Sequence, residues 1–319
     1  MNEIPSVDGC GARLPDHIVC PRCHGALNRR IDHLDCAKCG ATYHQEGGFY
    51  NLLADPEDRF EDDTDAETCC SEESSNAFAA ENYYIPLFKK LLGDKHEGSL
   101  TPRILSCGCG VGADVDLHIR HGYEAWGIDC GQRADSWKKR KNQHRLFVAN
   151  AKSLPFADDS FDLVKTDCLL PHIGVDGDTA KVKPGYFVER AEAAREMARV
   201  VKPGGYIILA NPNRWCPVDL FHKGQMKNSN GIGQFHSPSE RFLLSFSDYQ
   251  RLFLQEAGCG SLESLPIDGY WGFFQKSSHP WKRYLVPLIQ GYFHLMSIKS
   301  LSPLRRTALN PWLMVMVRK

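Results

Sequence analysis

The sequence predicts an α/β fold: a mostly parallel sheet with helices on both faces, preceded by a small cysteine-rich unit. Three observations carry the prediction. Short apolar runs alternate with helical-length segments from residue 103 onward, a glycine cluster follows the first run, and two CxxC pairs lie between residues 20 and 39. Strands separated by helices pair in parallel and are covered on both faces.

The bulk figures agree with one full domain plus a satellite. The chain has 319 residues, 42% of them hydrophobic, and a net charge of -1. That length buries a sizeable core. The balanced charge supplies no overall positive field that would draw the chain onto nucleic acid or an anionic membrane. The N-terminal MNEIPSVDGC lacks a signal-peptide core, and YLVPLIQGYFHLM (284–296) is too short to span a bilayer and is interrupted by Pro287 and Gly291. A cytoplasmic protein is the expectation.

Residues 1–55 are expected to hold a zinc ribbon. Cys20, Cys23, Cys36 and Cys39 form CxxC, twelve residues, CxxC, so two tight turns can present four thiolates tetrahedrally. Metal would then supply the folding free energy that so small a unit lacks. Redox dithiols or plain core cysteines are the alternative. His24 and His44 are expected to face solvent. Residues 56–75 are expected to be an acidic linker, since 54–75 holds ten carboxylates and few large apolar side chains.

The main domain is expected over 76–319. Strands are expected at RILSC (103–107), EAWGID (124–129), RLFVA (145–149), FDLVKT (161–166) and GYIILA (205–210). The clearest helix is 188–201, with Val188, Ala191, Ala194, Met197 and Val201 on one face and Lys202-Pro203-Gly204-Gly205 as its stop. Gly108-Cys109-Gly110-Val111-Gly112 follows the first strand and opens a helix, which allows close approach of a ligand to the backbone. Asp129 ends the next strand, where a carboxylate can accept from ribose hydroxyls. By itself this pattern also fits a nicotinamide dinucleotide site.

The later segments narrow the choice. VANAKSLPFADDSFDLVKTDCLLPHI (148–173), REMARVVKPGGYIILANPN (195–213) and PWLMVMVRK (311–319) resemble, in order, segments of class I S-adenosylmethionine-dependent methyltransferases. The resemblance implies a Rossmann-like fold with a seven-stranded, mostly parallel sheet and S-adenosyl-L-methionine as cofactor. It implies Gly108, Cys109, Gly110 and Gly112 beside the methionine part, Asp129 and the adjacent Cys130 at the ribose, and Asn150-Ala151 beside the adenine, with Leu154-Pro155-Phe156 closing that edge. Ser106 stands where the family usually has an acidic residue near the cofactor's amino group, with Asp114 or Asp116 as candidate substitutes. Asn150 replaces the usual aspartate. His172 and Asp167, just past the fourth strand, are the candidate catalytic residues, and His172 is weighed against a purely structural role. The CPRC and CAKC knuckles resemble zinc ribbons of some bacterial ribosomal RNA guanine methyltransferases and the zinc-binding activator subunit of certain methyltransferases.

Two insertions, at about 212–247 and 270–309, are expected to cover the acceptor. The second is rich in aromatics: Tyr270, Trp271, Phe273, Phe274, Trp281, Tyr284, Tyr292 and Phe293, most of them expected to pack against the main domain. The basic run RADSWKKRKNQHR (133–145) is expected to be a solvated face. A small-molecule acceptor methylated at O, N or C is the leading functional expectation. RNA base methylation and a non-catalytic recruitment module are the alternatives.

Overall fold

The computed structural model describes residues 14–60, 66–93, 100–177, 179–219, 234–235, 237–270 and 286–319. The N-terminal unit is a four-stranded antiparallel meander of β1 (Leu27–Arg29), β2 (His33–Cys36), β3 (Thr42–Glu46) and β4 (Phe49–Tyr50). Helix α1 (Ala66–Ala79) runs through a π-type turn, in which Ile85 N–H donates to the Ala80 carbonyl, into α2 (Ile85–Leu92), with Pro86 at its start.

The main sheet is built from β5 (Arg103–Cys107), β6 (Glu124–Asp129), β7 (Leu146–Val148), β8 (Phe161–Asp167) and β9 (Val201–Pro212), all parallel to one another. A two-residue pair, β10 (Val218–Asp219) with β11 (Gln234–Phe235), lies in the first insertion. The sheet ends with β12 (Ser261–Ser264) and the antiparallel β13 (Trp312–Arg318). Its order is β12-β13-β9-β8-β5-β6-β7. The chain direction across the sheet therefore reverses at β5, and in open α/β sheets the carboxyl ends of the strands at such a switch point, here β5, β6 and β8, border the crevice where ligands bind. Helices α3 (Ala113–Arg120), α4 (Tyr186–Val200), α5 (Phe246–Tyr249) and α6 (Val286–Ser297) complete the layers. Among the described residues no helix is long and apolar enough to cross a membrane.

The five expected strands are present, and β12 is a strand that patterning does not reveal, because its SLES sequence is polar and only half-buried. Lys202-Pro203-Gly204-Gly205 is not a free turn: α4 passes directly into β9, and the four residues form a bulged start of that strand, with Gly204 at φ +77°. Val188 is 57% exposed, while Arg190 takes a buried position on α4.

The acidic stretch 56–75 departs from a solvated linker. Residues 56–58 form a 3-10 turn capped by Asp55, and the stretch is helical from Ala66. Glu72 and Glu73 within it bond Arg133 and Arg140, so opposite charge across the fold orders a segment with little apolar surface. The same pairs correct the reading of 133–145 as a solvated face. Trp137 is fully buried, and its Nε1–H donates to the Gly110 carbonyl at 2.7 Å.

The cysteine unit shares the main core. Cys20, Leu34, Cys36, Tyr43 and Leu52 belong to one buried cluster with Leu105, Trp126, Phe147 and Phe156. Val19 N–H donates to the Pro155 carbonyl (3.0 Å) and Leu52 N–H to that of Val148 (2.7 Å), and Asn51 bridges Val148 in parallel. Of the second insertion's aromatics, Tyr270 and Phe293 are buried and Tyr292 lies at the surface; Trp271, Phe273, Phe274, Trp281 and Tyr284 lie outside the described residues.

Candidate active site

The glycine loop closes the crevice between β5 and α3. The N–H groups of Gly108 and Cys109 both donate to the Ile128 carbonyl at 2.9 Å, which folds the loop down onto β6. The Cys109 side chain points into the core: a Cβ added at Gly127 would lie 2.9 Å from its Sγ. Cys109 therefore offers the crevice backbone only. Asp129 braces the loop from the end of β6, with Oδ2 accepting from Gly110 N–H and Oδ1 from Gly131 N–H, both at 2.8 Å. Gly110 has φ +51°, and a side chain there would collide with the Glu72 carboxylate. The missing side chain thus lets a carboxylate, that of Glu72, lie directly on the loop.

Below the loop lies a buried charge network. Ser106 Oγ donates to Asp114 Oδ2 (2.6 Å), and Lys165 Nζ bonds Asp114 Oδ2 (2.7 Å) and Asp167 Oδ2 (2.8 Å). Tyr84 donates a very short hydrogen bond to Asp167 Oδ1. Burial pushes the Asp114 carboxyl up, but the Lys165 ammonium outweighs it and holds the group below its ordinary value. Burial and then the Asp167 carboxylate push the Tyr84 phenol far up, so it remains a donor. The expectation of Ser106 beside a ligand is corrected here: its hydroxyl faces Asp114 in the interior. Asp114, one of two candidate substitutes for the missing acid, is committed to Lys165, and Asp116 accepts from Asn142 at 2.8 Å.

On the β6–β7 side, Asn150 Nδ2 donates to the Asp58 carbonyl (3.0 Å) and its Oδ1 accepts from Lys152 N–H (3.0 Å). Phe60 N–H donates to the Cys130 carbonyl (3.0 Å), and Lys152 pairs with Asp58 at 2.7 Å. The expected adenine edge, Asn150 and the buried Ala151, and Cys130 beside it are thus bordered by residues 58–60, with the Asn150 amide engaged in local bonds.

Asp167 and His172 diverge. Asp167 faces Tyr84, which hydrogen-bonds Tyr270, and Tyr270 stacks on Trp312 at 5.3 Å. The His172 ring lies edge-on to Phe60 (6.0 Å) and Phe242 (5.3 Å). Its segment is clasped by the buried Arg190, whose guanidinium donates to the carbonyls of Pro171, Ile173, Arg241 and Phe242 at 2.9–3.1 Å. Glu72, Arg133, Lys165 and Tyr84 are residues beside the glycine loop or its buried network that sequence patterning did not single out. Each lies in a helix, strand or basic run whose local pattern suggests plain structure.

The four predicted cysteines converge: Sγ atoms of Cys20, Cys23, Cys36 and Cys39 all lie within 4.8 Å of one another. Cys20–Cys39 and Cys23–Cys36 separations are 3.7 and 3.4 Å, close to the roughly 3.8 Å edge of a tetrahedron with Zn–S bonds of about 2.3 Å. Any side chain at Gly25 would press on Lys38 (2.7 Å) and on the Cys36 and Cys23 sulfurs (3.2 and 3.3 Å). His24 and His44 are exposed, and the cluster comprises the four cysteines.

Residues 105–209 match the family described as "Methyltransferase domain". The chain is 28% identical over 154 residues to the 2-methyl-6-phytyl-1,4-hydroquinone methyltransferase of Synechocystis, covering 46% of this chain and 43% of that protein. It is 27% identical over 157 residues to an uncharacterised methyltransferase of Bacillus subtilis, covering 47% and 54% respectively. The chain thus spans about half the length of these two curated relatives. Among solved structures, phosphoethanolamine N-methyltransferase 2 of Haemonchus contortus in complex with S-adenosyl-L-methionine matches over 79% of this chain and 57% of that one, at 17% identity and a TM-score of 0.47.

Proposed function

We propose that this chain, which carries a class I methyltransferase domain, transfers a methyl group from S-adenosyl-L-methionine to a small-molecule acceptor. The observation that carries the reading is the glycine loop braced by Asp129 at the switch point of the sheet. The cofactor, when bound, supplies an electrophilic methyl on a sulfonium. The chain's own part is to orient and to exclude water. Asp129, Cys130 and the backbone of Gly108, Cys109, Gly110 and Gly112 hold the cofactor, and Asn150 and Ala151 flank its adenine.

Asp167 is a positioning residue in this reading. Both its oxygens already accept hydrogen bonds, so it fixes Tyr84 and Tyr270 within a buried aromatic cluster with Trp312. The quinol and O-methyl chemistry named for relatives from Synechocystis and Aspergillus nomiae supports an aromatic or other apolar acceptor. His172, between two phenyl rings, is the candidate base, and its test is the pH profile of a variant.

Cys20, Cys23, Cys36 and Cys39 hold a structural zinc ion, all four positions being taken by thiolate. RNA as acceptor is disfavoured because Arg133 and Arg140 of the basic run turn inward onto α1.

The deciding experiment is calorimetric titration of the metal-loaded chain with S-adenosylmethionine, with NAD as control and Asp129→Ala as the site variant. Saturable binding lost in the variant supports the reading. No binding with the metal site intact overturns it in favour of a recruitment module. Methyl transfer to transfer or ribosomal RNA with steep salt dependence overturns the small-molecule acceptor alone.

A further inference from the structure

We propose that Glu72 is a built-in occupant of the subsite for the cofactor's α-carboxylate, so that S-adenosylmethionine binds by taking the Val111 N–H and the Arg133 guanidinium away from it. The inference rests on the cofactor reading above and adds to it a subsite and a displaced helix.

Glu72 projects from α1. Its Oε1 accepts from Val111 N–H at 3.2 Å, and its Oε2 pairs with Arg133 Nε at 2.6 Å. This carboxylate fills the space that the missing side chain of Gly110 leaves open, next to the Asp129 carboxylate that holds Gly110 N–H. One main-chain donor and one guanidinium on a single carboxylate is the arrangement by which proteins bind a ligand's carboxylate. An adenosyl amino acid with its ribose on Asp129 carries one such group on its tail, and these are the donors beside Asp129 that already bind one.

The occupant is built to leave. Ala79, at its far end, is the buried residue of α1, so little apolar surface ties the helix down. What holds it at the loop is ionic: Glu72 on Arg133, and Glu73 on Arg140 at 3.0 Å with Glu73 half exposed. Burial, and beyond it the nearby Asp129 charge, push the Glu72 carboxyl up against the pull of Arg133, so the charged form is held there at a cost that an incoming carboxylate removes by replacing it.

The test is calorimetry on the full, metal-loaded chain with two probes: S-adenosylhomocysteine, which carries the amino-acid tail, and methylthioadenosine, which lacks it. Glu72→Gln, isosteric and uncharged, is expected to bind S-adenosylhomocysteine about five- to tenfold more tightly than the wild type, a coupling of ordinary size for two ligands contesting one site. Arg133→Met is expected to weaken it about tenfold. Methylthioadenosine is expected to bind all three proteins alike, which also verifies that the variants are folded. Hydrogen exchange over residues 66–79 should speed up with S-adenosylhomocysteine and stay unchanged with methylthioadenosine. Weaker S-adenosylhomocysteine binding by Glu72→Gln overturns the proposal and makes Glu72 the partner of the cofactor's ammonium. Unchanged binding, or slower exchange in α1, also overturns it. A wild type that binds neither probe fails the cofactor reading itself.

Discussion

The ammonium of Lys165 lies 2.7 Å from the carboxylate of Asp114, in side chains only 5% and 2% exposed. Removing one member of a buried pair strands the other's charge, at about 3–5 kcal/mol, whereas replacing both with apolar groups is far milder. Lys165→Met should therefore lower the urea midpoint sharply, and Lys165→Met with Asp114→Leu should recover part of the loss, the less buried Asp167 being left with Tyr84. A double variant as unstable as the single one would contradict this account.

Arg190 gives a second stability prediction. Four backbone carbonyls from two segments converge on its guanidinium, a geometry that a lysine ammonium cannot reproduce. Arg190→Lys should destabilise the fold by about 2 kcal/mol, roughly the value of losing several buried charge-assisted bonds against those remaining. Acceptor turnover should fall with it, because Pro171 and Ile173 flank His172. Equilibrium unfolding and turnover, measured together, check both.

Acid should weaken the fold through buried histidines. Burial, then the Arg103 charge, lowers His17 to about 4, and burial lowers His118 to about 3 although Asp114 opposes it. Both are neutral in the folded chain and titrate near 6.5 when unfolded. Their contribution is complete above about pH 6.5 and is lost as pH falls from there toward 4 and 3, at up to about 1.4 kcal/mol per pH unit for each. Neither ring nitrogen of His118 has a hydrogen-bond partner among the described residues. His118→Leu should accordingly flatten the stability profile between pH 5 and 6.5; an unaltered slope would refute the assignment.

Removing metal should destabilise the whole molecule. The cysteine unit and the main sheet share one buried cluster through Leu34, Tyr43, Trp126 and Phe147. A chelator that strips one equivalent of zinc, or Cys36→Ser, should lower the main thermal transition by roughly 6 °C or more, as a loss of about 3 kcal/mol implies. Separate melting of the cysteine unit, with the main transition unmoved, is the contrary result.

Local pattern made the parallel strands, the Asp129 strand end and the cysteine cluster legible, because each follows from neighbours within a few residues. What escaped depends on partners far along the chain. The helix at 66–79 is too acidic to read as packed, yet Glu72 meets Arg133, 61 residues later. Val188 fits an apolar stripe, but burial at that end of α4 goes to Arg190, whose polar atoms the folded chain satisfies. Ser106 reads as a vacated acidic position until Asp114 and Lys165 are seen behind it.

The pairing of Leu52 with Val148 has a further consequence. β7 is the last strand of the sheet, and without residues 51–52 its outer rim of amides would stand open, the kind of surface on which chains stack into aggregates. Under the zinc reading, metal supply then governs solubility before it touches catalysis. Chain synthesised in zinc-starved cells should be lost to inclusion bodies, and light scattering of the stripped protein, with and without added zinc, measures that directly.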